Sequence, residues 1–211
     1  MPNKKIKKKK EIIVNQGLID EYIARFEEQN NKSEEVLKYL FANANHKDYN
    51  GVFCRVGLLD SLYSTQIQQY YKGGITAVSD HIFSKAGVIV NLINCKVLDD
   101  DAFKLFEELT IVDYSAYKDC NGKENKIVSF VSKYMSFCKP EMFPIMDSYV
   151  KKLINLSESV SYAAFVNEFT SFKDRVLDKT GKDYTNKKID MFLWQYARDN
   201  KKEINNIKFV L

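Results

Sequence analysis

Apolar positions recur with helical spacing over most of the chain. After Asn125, for example, the apolar residues fall at i, i+3, i+4 and i+7, which places them on one face of a helix: Ile127, Phe130, Val131 and Tyr134. Only eight glycines and three prolines interrupt the 211 residues, so few positions would break such helices. The pattern predicts an all-α protein, a compact multi-helix globule.

Capping and turn residues divide this pattern into successive helices. The predicted helices cover residues 17–29, 33–44, 52–71, 76–83, 87–94, 99–109, 125–137, 147–154, 159–177 and 186–199. The segment 52–71 is rich in Val, Leu, Tyr and Cys. We therefore expect it to be a largely buried central helix around which the others pack.

The charge is concentrated at the start of the chain. Six lysines lie between positions 4 and 10, and without them the net charge of +4 becomes slightly negative. Such a run repels itself, and it serves either solubility or a loose contact with nucleic acid. We expect a lysine-rich flexible tail over residues 1–16 and a single helical domain over residues 17–211.

The cysteines do not form a metal-binding or disulfide pattern. Cys54, Cys95, Cys120 and Cys138 are far apart, without a Cys-x-x-Cys pair or a closely spaced histidine. No apolar run is long enough to cross a bilayer, and no signal-type apolar core follows the lysines. We expect a cytoplasmic monomer with no metal cluster, no cofactor and no membrane association.

Candidate chemistry is concentrated in residues 118–150. The turn at Gly122 and Lys123 leads into the helix predicted from Asn125, where free backbone N–H groups could hold a phosphate. Lys126 lies in the first turn of that helix and Lys133 lies two turns further along the same flank. Asp147 follows a proline turn, at or near the start of the next helix. The alternative interpretations are an N-cap for Asp147 and a solvated face for the lysines.

Two segments resemble the helix-hairpin-helix superfamily of base-excision DNA glycosylases, which includes endonuclease-III-like and 8-oxoguanine-glycosylase-like members. In residues 122–126 and the apolar helix that follows, then in Lys139-Pro140 and Phe143-Pro144-Ile145-Met146-Asp147, the chain is similar to the family pattern Gly-x-Gly-x-Lys, helix, Pro, Val-Asp. Earlier, Leu62-Tyr63-Ser64-Thr65-Gln66 is similar to the family's Leu-Ser-x-Gln segment. The chain departs from the pattern at Glu124, which replaces the second hairpin glycine.

The resemblance implies roles for single residues. Asp147 matches the essential aspartate, which would stabilise positive charge on the sugar. Lys126 matches the nucleophilic lysine, with Lys133 as its rival because of the longer spacing to the aspartate. Gly122 matches the first hairpin glycine, beside Lys123. Gln66, next to Ser64 on the same segment, matches the glutamine that fills the gap left by a flipped base.

The resemblance implies a protein that binds double-stranded DNA and removes a damaged or modified base, as a glycosylase with or without AP-lyase activity. Trp194 and Tyr196 are the aromatic pair that could form the base pocket, although core packing is the alternative for both. Two other readings stay open: a non-catalytic DNA- or protein-binding protein that keeps the glycosylase-like fold, and a helical interaction protein of unrelated ancestry.

Overall fold

Helices make up most of the chain in the computed structural model, which describes residues 9–70, 73–113 and 125–211. They are α1 Gln16–Ala42, α2 Tyr49–Tyr63, α3 Ile67–Tyr70, α4 Gly74–Ser84, α5 Ala86–Asn94, α6 Asp100–Thr110, α7 Val128–Cys138, α8 Ser148–Leu153, α9 Tyr162–Thr180 and α10 Asn186–Asp199. The short strands are β1 Lys10–Ile13, β2 Ile111–Val112, β3 Asn125–Lys126 and β4 Ile207–Val210. The prediction of an all-α protein is confirmed.

By their internal contacts the residues fall into two compact units. The terminal unit contains the chain up to Gln29 together with Met146–Leu211, and the central unit contains Asn30–Ile145. One boundary lies inside α1 and the other inside the segment that leads to Asp147. The first boundary lies at the start of a polar stretch and the second follows Pro144, but the sequence pattern predicts one domain over residues 17–211 and does not indicate this division.

In the terminal unit, β1 pairs in parallel with β4, from Lys10 opposite Ile207 to Ile13 opposite Val210. The prediction of a flexible tail over residues 1–16 is therefore wrong from Lys10 onward, because backbone hydrogen bonds hold this segment in a sheet. Residues 1–8 of that tail lie outside the described chain. Helix α8 packs against α10, and the core is aromatic and aliphatic, with Phe165, Phe169, Phe192, Ile189 and Leu193 buried.

In the central unit, α2 packs against α4, and α7 packs against α2, α5 and α6. Helix α2 buries one face, formed by Val52, Arg55, Val56 and Leu59, whereas Phe53 and Cys54 are exposed. The predicted buried central helix over residues 52–71 is therefore wrong in two respects. The helix is buried on one side only, and it ends at Tyr63 before a turn and the short α3.

Helix α1 joins the two helices predicted at 17–29 and 33–44. The polar residues between them stay helical because no Gly or Pro interrupts them, and the Asn31 amide donates to the Glu35 carboxylate one turn later at 3.0 Å. A polar stretch on a solvated helix face has the same composition as a loop, which explains the false boundary.

Candidate functional site

Asp147 ends an extended segment and begins α8. The four residues before it are all buried: Phe143, Pro144, Ile145 and Met146. The Asp147 carboxylate accepts a hydrogen bond from the Val150 N–H at 2.8 Å, and within the described chain it makes no other hydrogen bond. The prediction that Asp147 starts this helix is confirmed, and so is its interpretation as an N-cap. One carboxylate oxygen is thus fixed while the half-buried side chain keeps acceptor capacity.

Lys126 and Lys133 do not share one helix. Asn125 and Lys126 form β3, which pairs antiparallel with β2, so Lys126 lies opposite Ile111. Helix α7 begins only at Val128, because the backbone just before it is committed to this ribbon and the Ile127 N–H donates to Thr110 O at 2.9 Å. The prediction of a helix from Asn125 with two lysines on one flank is therefore wrong. Lys126 itself is exposed.

Lys133 lies inside the central unit. Its residue is 5% exposed, and its Nζ donates to Ser129 Oγ at 2.7 Å, one turn earlier on α7. A solvated face is therefore wrong for Lys133, although it fits Lys126. An ammonium group at this depth has a polar partner because an unpaired buried charge would be costly.

Lys139 fixes the end of α7. Its Nζ donates to Ile93 O at 2.8 Å and also to Cys95 O, at the C-terminus of α5. A cation at this position satisfies carbonyl groups that the helix leaves unpaired and complements the negative end of the helix dipole. Lys139 therefore ties the end of α7 to the end of α5, and Pro140 after it disfavours a continued helix.

The segment that resembles Leu-Ser-x-Gln forms an exposed turn between α2 and α3. Ser64 and Gln66 are both exposed, and both have left-handed backbones, with φ of 48° and 61°. Such a conformation costs a residue other than glycine about 1–2 kcal/mol. The Asp60 carboxylate offsets this by accepting from Thr65 Oγ1 at 2.5 Å and from the Ile67 N–H at 2.8 Å. We refer to residues 64–66 as the exposed turn.

Gly122 and Lys123 lie outside the described residues, as does Glu124. The phosphate-binding hairpin therefore stays a prediction. What the structure describes on either side of this segment is the β2–β3 ribbon that joins α6 to α7.

The two aromatic residues of α10 are both packed against other rings. Tyr196 is 5% exposed and its ring lies 4.9 Å from those of Tyr22 and Phe209. Trp194 is half-buried, with its ring edge-to-face on Phe26 at 5.6 Å. These contacts fit core packing, and of the two side chains Trp194 keeps more surface for a ligand.

A buried polar network connects α2 to α7 in the central unit. Arg55 Nε donates to the Tyr134 hydroxyl at 3.3 Å, and that hydroxyl lies 3.0 Å from His46 Nδ1. Arg55 also donates to Asn45 O at 3.0 Å. Because the hydroxyl accepts from Arg55, its own proton is available to His46 Nδ1, which fits a neutral imidazole.

Burial shifts the pKa values of this network. Burial, and then the charge of Arg55, lower the pKa of His46 to about 4. Burial raises the pKa of the Cys138 thiol to about 12 and raises the pKa of the Tyr134 hydroxyl well above its ordinary value. At neutral pH the His46 imidazole and the Tyr134 hydroxyl are thus uncharged. The apolar spacing predicts Tyr134 only as part of a packed helix face, and a signal for the polar network was Arg55 on the apolar face of α2.

Two further findings concern membrane-spanning helices and metal-binding groups in the residues that the structure describes. No helix in them has the length and apolarity that a membrane crossing requires. No group of three or more His, Cys, Asp or Glu side chains among them could hold a metal ion.

The described residues form an all-α protein. A family model described as the HI_0787_N N-terminal domain matches residues 18–142, more than half of the chain. The chain therefore belongs to the HI_0787_N family. The matched region contains the exposed turn, Lys126 and Lys133, and it ends before Asp147.

A curated relative from Haemophilus influenzae, described as an uncharacterized protein, is 31% identical over 83 residues. The alignment covers 37% of this chain and 40% of the relative, so the chain spans less than half of the relative's length. No solved structure matches the chain.

Proposed function

We propose that this protein is a DNA glycosylase, which binds double-stranded DNA and removes a damaged or modified base. The observation that carries the proposal is the Asp147 carboxylate, fixed by the Val150 N–H at 2.8 Å and otherwise without a described hydrogen-bond partner. Breaking a glycosidic bond builds positive charge on the sugar, and a preorganised carboxylate stabilises that charge. A carboxylate fixed through one oxygen suits this role.

The exposed turn supports the DNA-binding part of the proposal. A base must leave the duplex stack before an enzyme can reach its glycosidic bond, and a side chain that fills the gap favours the flipped state. Gln66 is exposed on a turn that a buried residue, Ile67, anchors on its C-terminal side. An exposed amide on a backbone that Asp60 holds is suited to such insertion, with Ser64 beside it and Gly122 and Lys123 as further proposed DNA contacts.

The lysines decide whether the enzyme would also cut the strand. An amine that attacks the sugar C1′ displaces the base, which leaves with the bonding electron pair and takes up a proton that the amine loses. Opening of the C1′–O4′ bond then gives a Schiff base, from which strand cleavage can follow. Lys126 is exposed, whereas Lys133 is 5% exposed and donates to Ser129. We therefore place Lys126 ahead of Lys133 as the nucleophile, with an activated water as the alternative that gives base removal alone.

The proposal also covers the base pocket, the localisation and the oligomeric state of the protein. The half-buried Trp194 is the better of the two α10 aromatics for stacking on a flipped base, with Tyr196 behind it in the core. We propose a cytoplasmic monomer that acts in DNA repair or in defence against foreign modified DNA.

A panel of duplexes with single lesions, modified bases and abasic sites tests the proposed function in the full chain. Wild-type protein is expected to release a base from at least one duplex. Asp147→Ser keeps a hydroxyl that can cap α8, as Ser161 caps α9 through the Ala164 N–H at 3.2 Å, but it removes the carboxylate. We expect this variant to fold and to lose base release by about 100-fold or more.

Asp99→Ser is the matched control. Asp99 caps α6 by accepting from the Ala102 N–H at 2.9 Å, the same geometry as at Asp147. This variant should keep wild-type activity. Equal loss in the two variants would mean that capping alone explains Asp147, and binding without release on every duplex would favour the non-catalytic reading.

Borohydride trapping on the active duplex separates the lysines. Trapping that disappears in Lys126→Ala would support the lyase reading with Lys126 as nucleophile, and disappearance only in Lys133→Ala would move the role. Base release without trapping would support activated water. An absence of salt-sensitive DNA binding would contradict both nucleic-acid readings.

A further inference from the structure

The exposed turn is held from both sides and from beneath. On the N-terminal side, Tyr63 donates a short hydrogen bond to Glu34 on α1, and its ring lies edge-to-face on Phe137 of α7 at 5.7 Å. On the C-terminal side, Ile67 is 1% exposed. Beneath the turn lies Asp60, one turn before the end of α2.

Asp60 makes more contacts to this segment than a helix cap requires. Its Oδ1 accepts from both Thr65 Oγ1 and the Ile67 N–H, and its Oδ2 lies 3.4 Å from the Gln68 N–H. The backbone carbonyl of Asp60 also accepts from the Thr65 N–H at 3.3 Å. One residue therefore holds the centre and the exit of the turn.

The backbone of the turn shows why such a support is needed. Ser64 and Gln66 both occupy the left-handed region, which favours glycine, and both are exposed. Strained residues persist where the surroundings over-determine them, and such sites concentrate where function depends on a fixed geometry. If the turn only connected two helices, glycine at positions 64 and 66 would remove the backbone strain without loss of function.

We propose that Asp60 is a positioning residue, whose carboxylate holds the exposed turn in the conformation that presents the Gln66 side chain to the gap left by a flipped base. This inference rests on the proposed function and deepens it. Asp60 touches neither substrate nor the reacting atoms. It acts through Thr65 and Ile67.

A ring contact with α7 also holds the exposed turn. Tyr63 packs on Phe137, and Phe137 lies one residue before Cys138, the end of α7. The turn is therefore braced on the helix that carries Lys133, within one unit. Loss of the Asp60 contacts should release the turn without disturbing α7, because Tyr63 keeps its own partners.

The test compares Asp60→Ala, Asp60→Asn and the control Asp99→Ala in the full chain. The duplex carries 2-aminopurine beside a base that the wild-type protein releases, so that its fluorescence reports flipping. We expect Asp60→Ala to lose flipping and single-turnover base release by at least about tenfold at saturating DNA. The salt dependence of binding should not change, because Asp60 contacts no phosphate.

Asp60→Asn keeps an oxygen that can accept from Thr65 and Ile67, so flipping and release should stay within about threefold of wild type. Asp99→Ala removes a carboxylate that accepts one backbone N–H at the start of α6, and it should leave both unchanged. Wild-type rates in Asp60→Ala, or an equal loss in Asp99→Ala, would overturn the inference.

Failure of the proposed function gives a different result. A wild-type protein that flips and releases no base on any duplex would contradict the proposed function itself. Amide exchange then decides whether Asp60 holds the turn: the Ile67 N–H should lose protection in Asp60→Ala and keep it in Asp60→Asn. Unchanged protection in Asp60→Ala would contradict the assignment independently of DNA.

Discussion

The central unit holds polar groups in two opposite ways. In its interior, Arg55, Tyr134 and His46 form a network between α2 and α7 whose described hydrogen bonds involve no carboxylate. At its surface, the Asp60 carboxylate holds a turn in which Ser64 and Gln66 adopt left-handed backbones. The first arrangement is relaxed and hidden from solvent, whereas the second is strained and exposed.

This difference separates what stabilises the unit from what could act on a ligand. A satisfied buried network specifies how helices pack, and its loss leaves unpaired groups in a region of low dielectric. A glycine-containing turn would pack equally well and without strain. The strain of the exposed turn therefore needs a reason other than packing. Variants of the network should therefore change stability, and variants of the turn should change DNA chemistry.

The largest stability effect is expected from Tyr134→Phe. Removing the hydroxyl leaves Arg55 Nε and His46 Nδ1 without their shared partner, at a cost of about 2–3 kcal/mol in the free energy of unfolding. Urea unfolding at pH 7 measures this. Tyr39→Phe, at a residue that is 80% exposed, is the control and should change little. If base release by the folded variant also fell, the separation between network and turn would be wrong.

A pH effect should come from His46. Its folded-state pKa of about 4 lies below the ordinary value of 6.5, so the unfolded chain binds the proton first as pH falls. The stability that neutral His46 contributes is present above about pH 6.5 and is lost as pH falls toward 4. His81, whose pKa burial also lowers, acts in the same direction.

Between pH 7 and pH 5, His46 should account for about 1–2 kcal/mol of lost stability. Urea unfolding at both pH values measures the loss. Between the two pH values, His46→Gln should lose about 1–2 kcal/mol less stability than wild type. An identical pH dependence in the variant would show that His46 is not buried in the neutral form.

The smallest effect is expected at the turn itself. Ser64→Gly places glycine at a left-handed helix C-cap and should stabilise the protein by up to about 1 kcal/mol. Thermal unfolding measures the gain. If the strain serves the positioning of Gln66, the same variant should release base more slowly than wild type despite its higher stability. Faster or equal release would indicate that the turn is merely a connection.

Local patterns in the sequence were sufficient for the limits of several helices. The apolar spacing predicts the limits of α10 at residues 186–199, where the structure shows Thr185 as the cap, and the acidic residues at Asp99 and Asp147 locate α6 and α8. These features depend on residues within a turn of one another. For the same reason the start of α7 was misplaced, because β3 is set by pairing with β2, a contact between distant parts of the chain.

In the candidate site, too, the sequence predicts local features but not contacts between distant parts of the chain. The position of Asp147 at a helix start follows from its neighbours, but the burial of Lys133 depends on three helices that pack around α7. The pairing of β1 with β4 joins the two ends of the described chain, which no local pattern reveals. Asp60 escaped notice because its role depends on the left-handed turn that follows it.

The most direct test of the account is single-turnover base release by Asp147→Ser beside Asp99→Ser, on a duplex from which the wild-type protein releases a base. Both variants keep a hydroxyl cap, so the free energy of unfolding of each should lie within about 1 kcal/mol of the wild-type value. The account predicts that Asp147→Ser loses release by about 100-fold or more while Asp99→Ser retains it. Release at the wild-type rate by Asp147→Ser would contradict it.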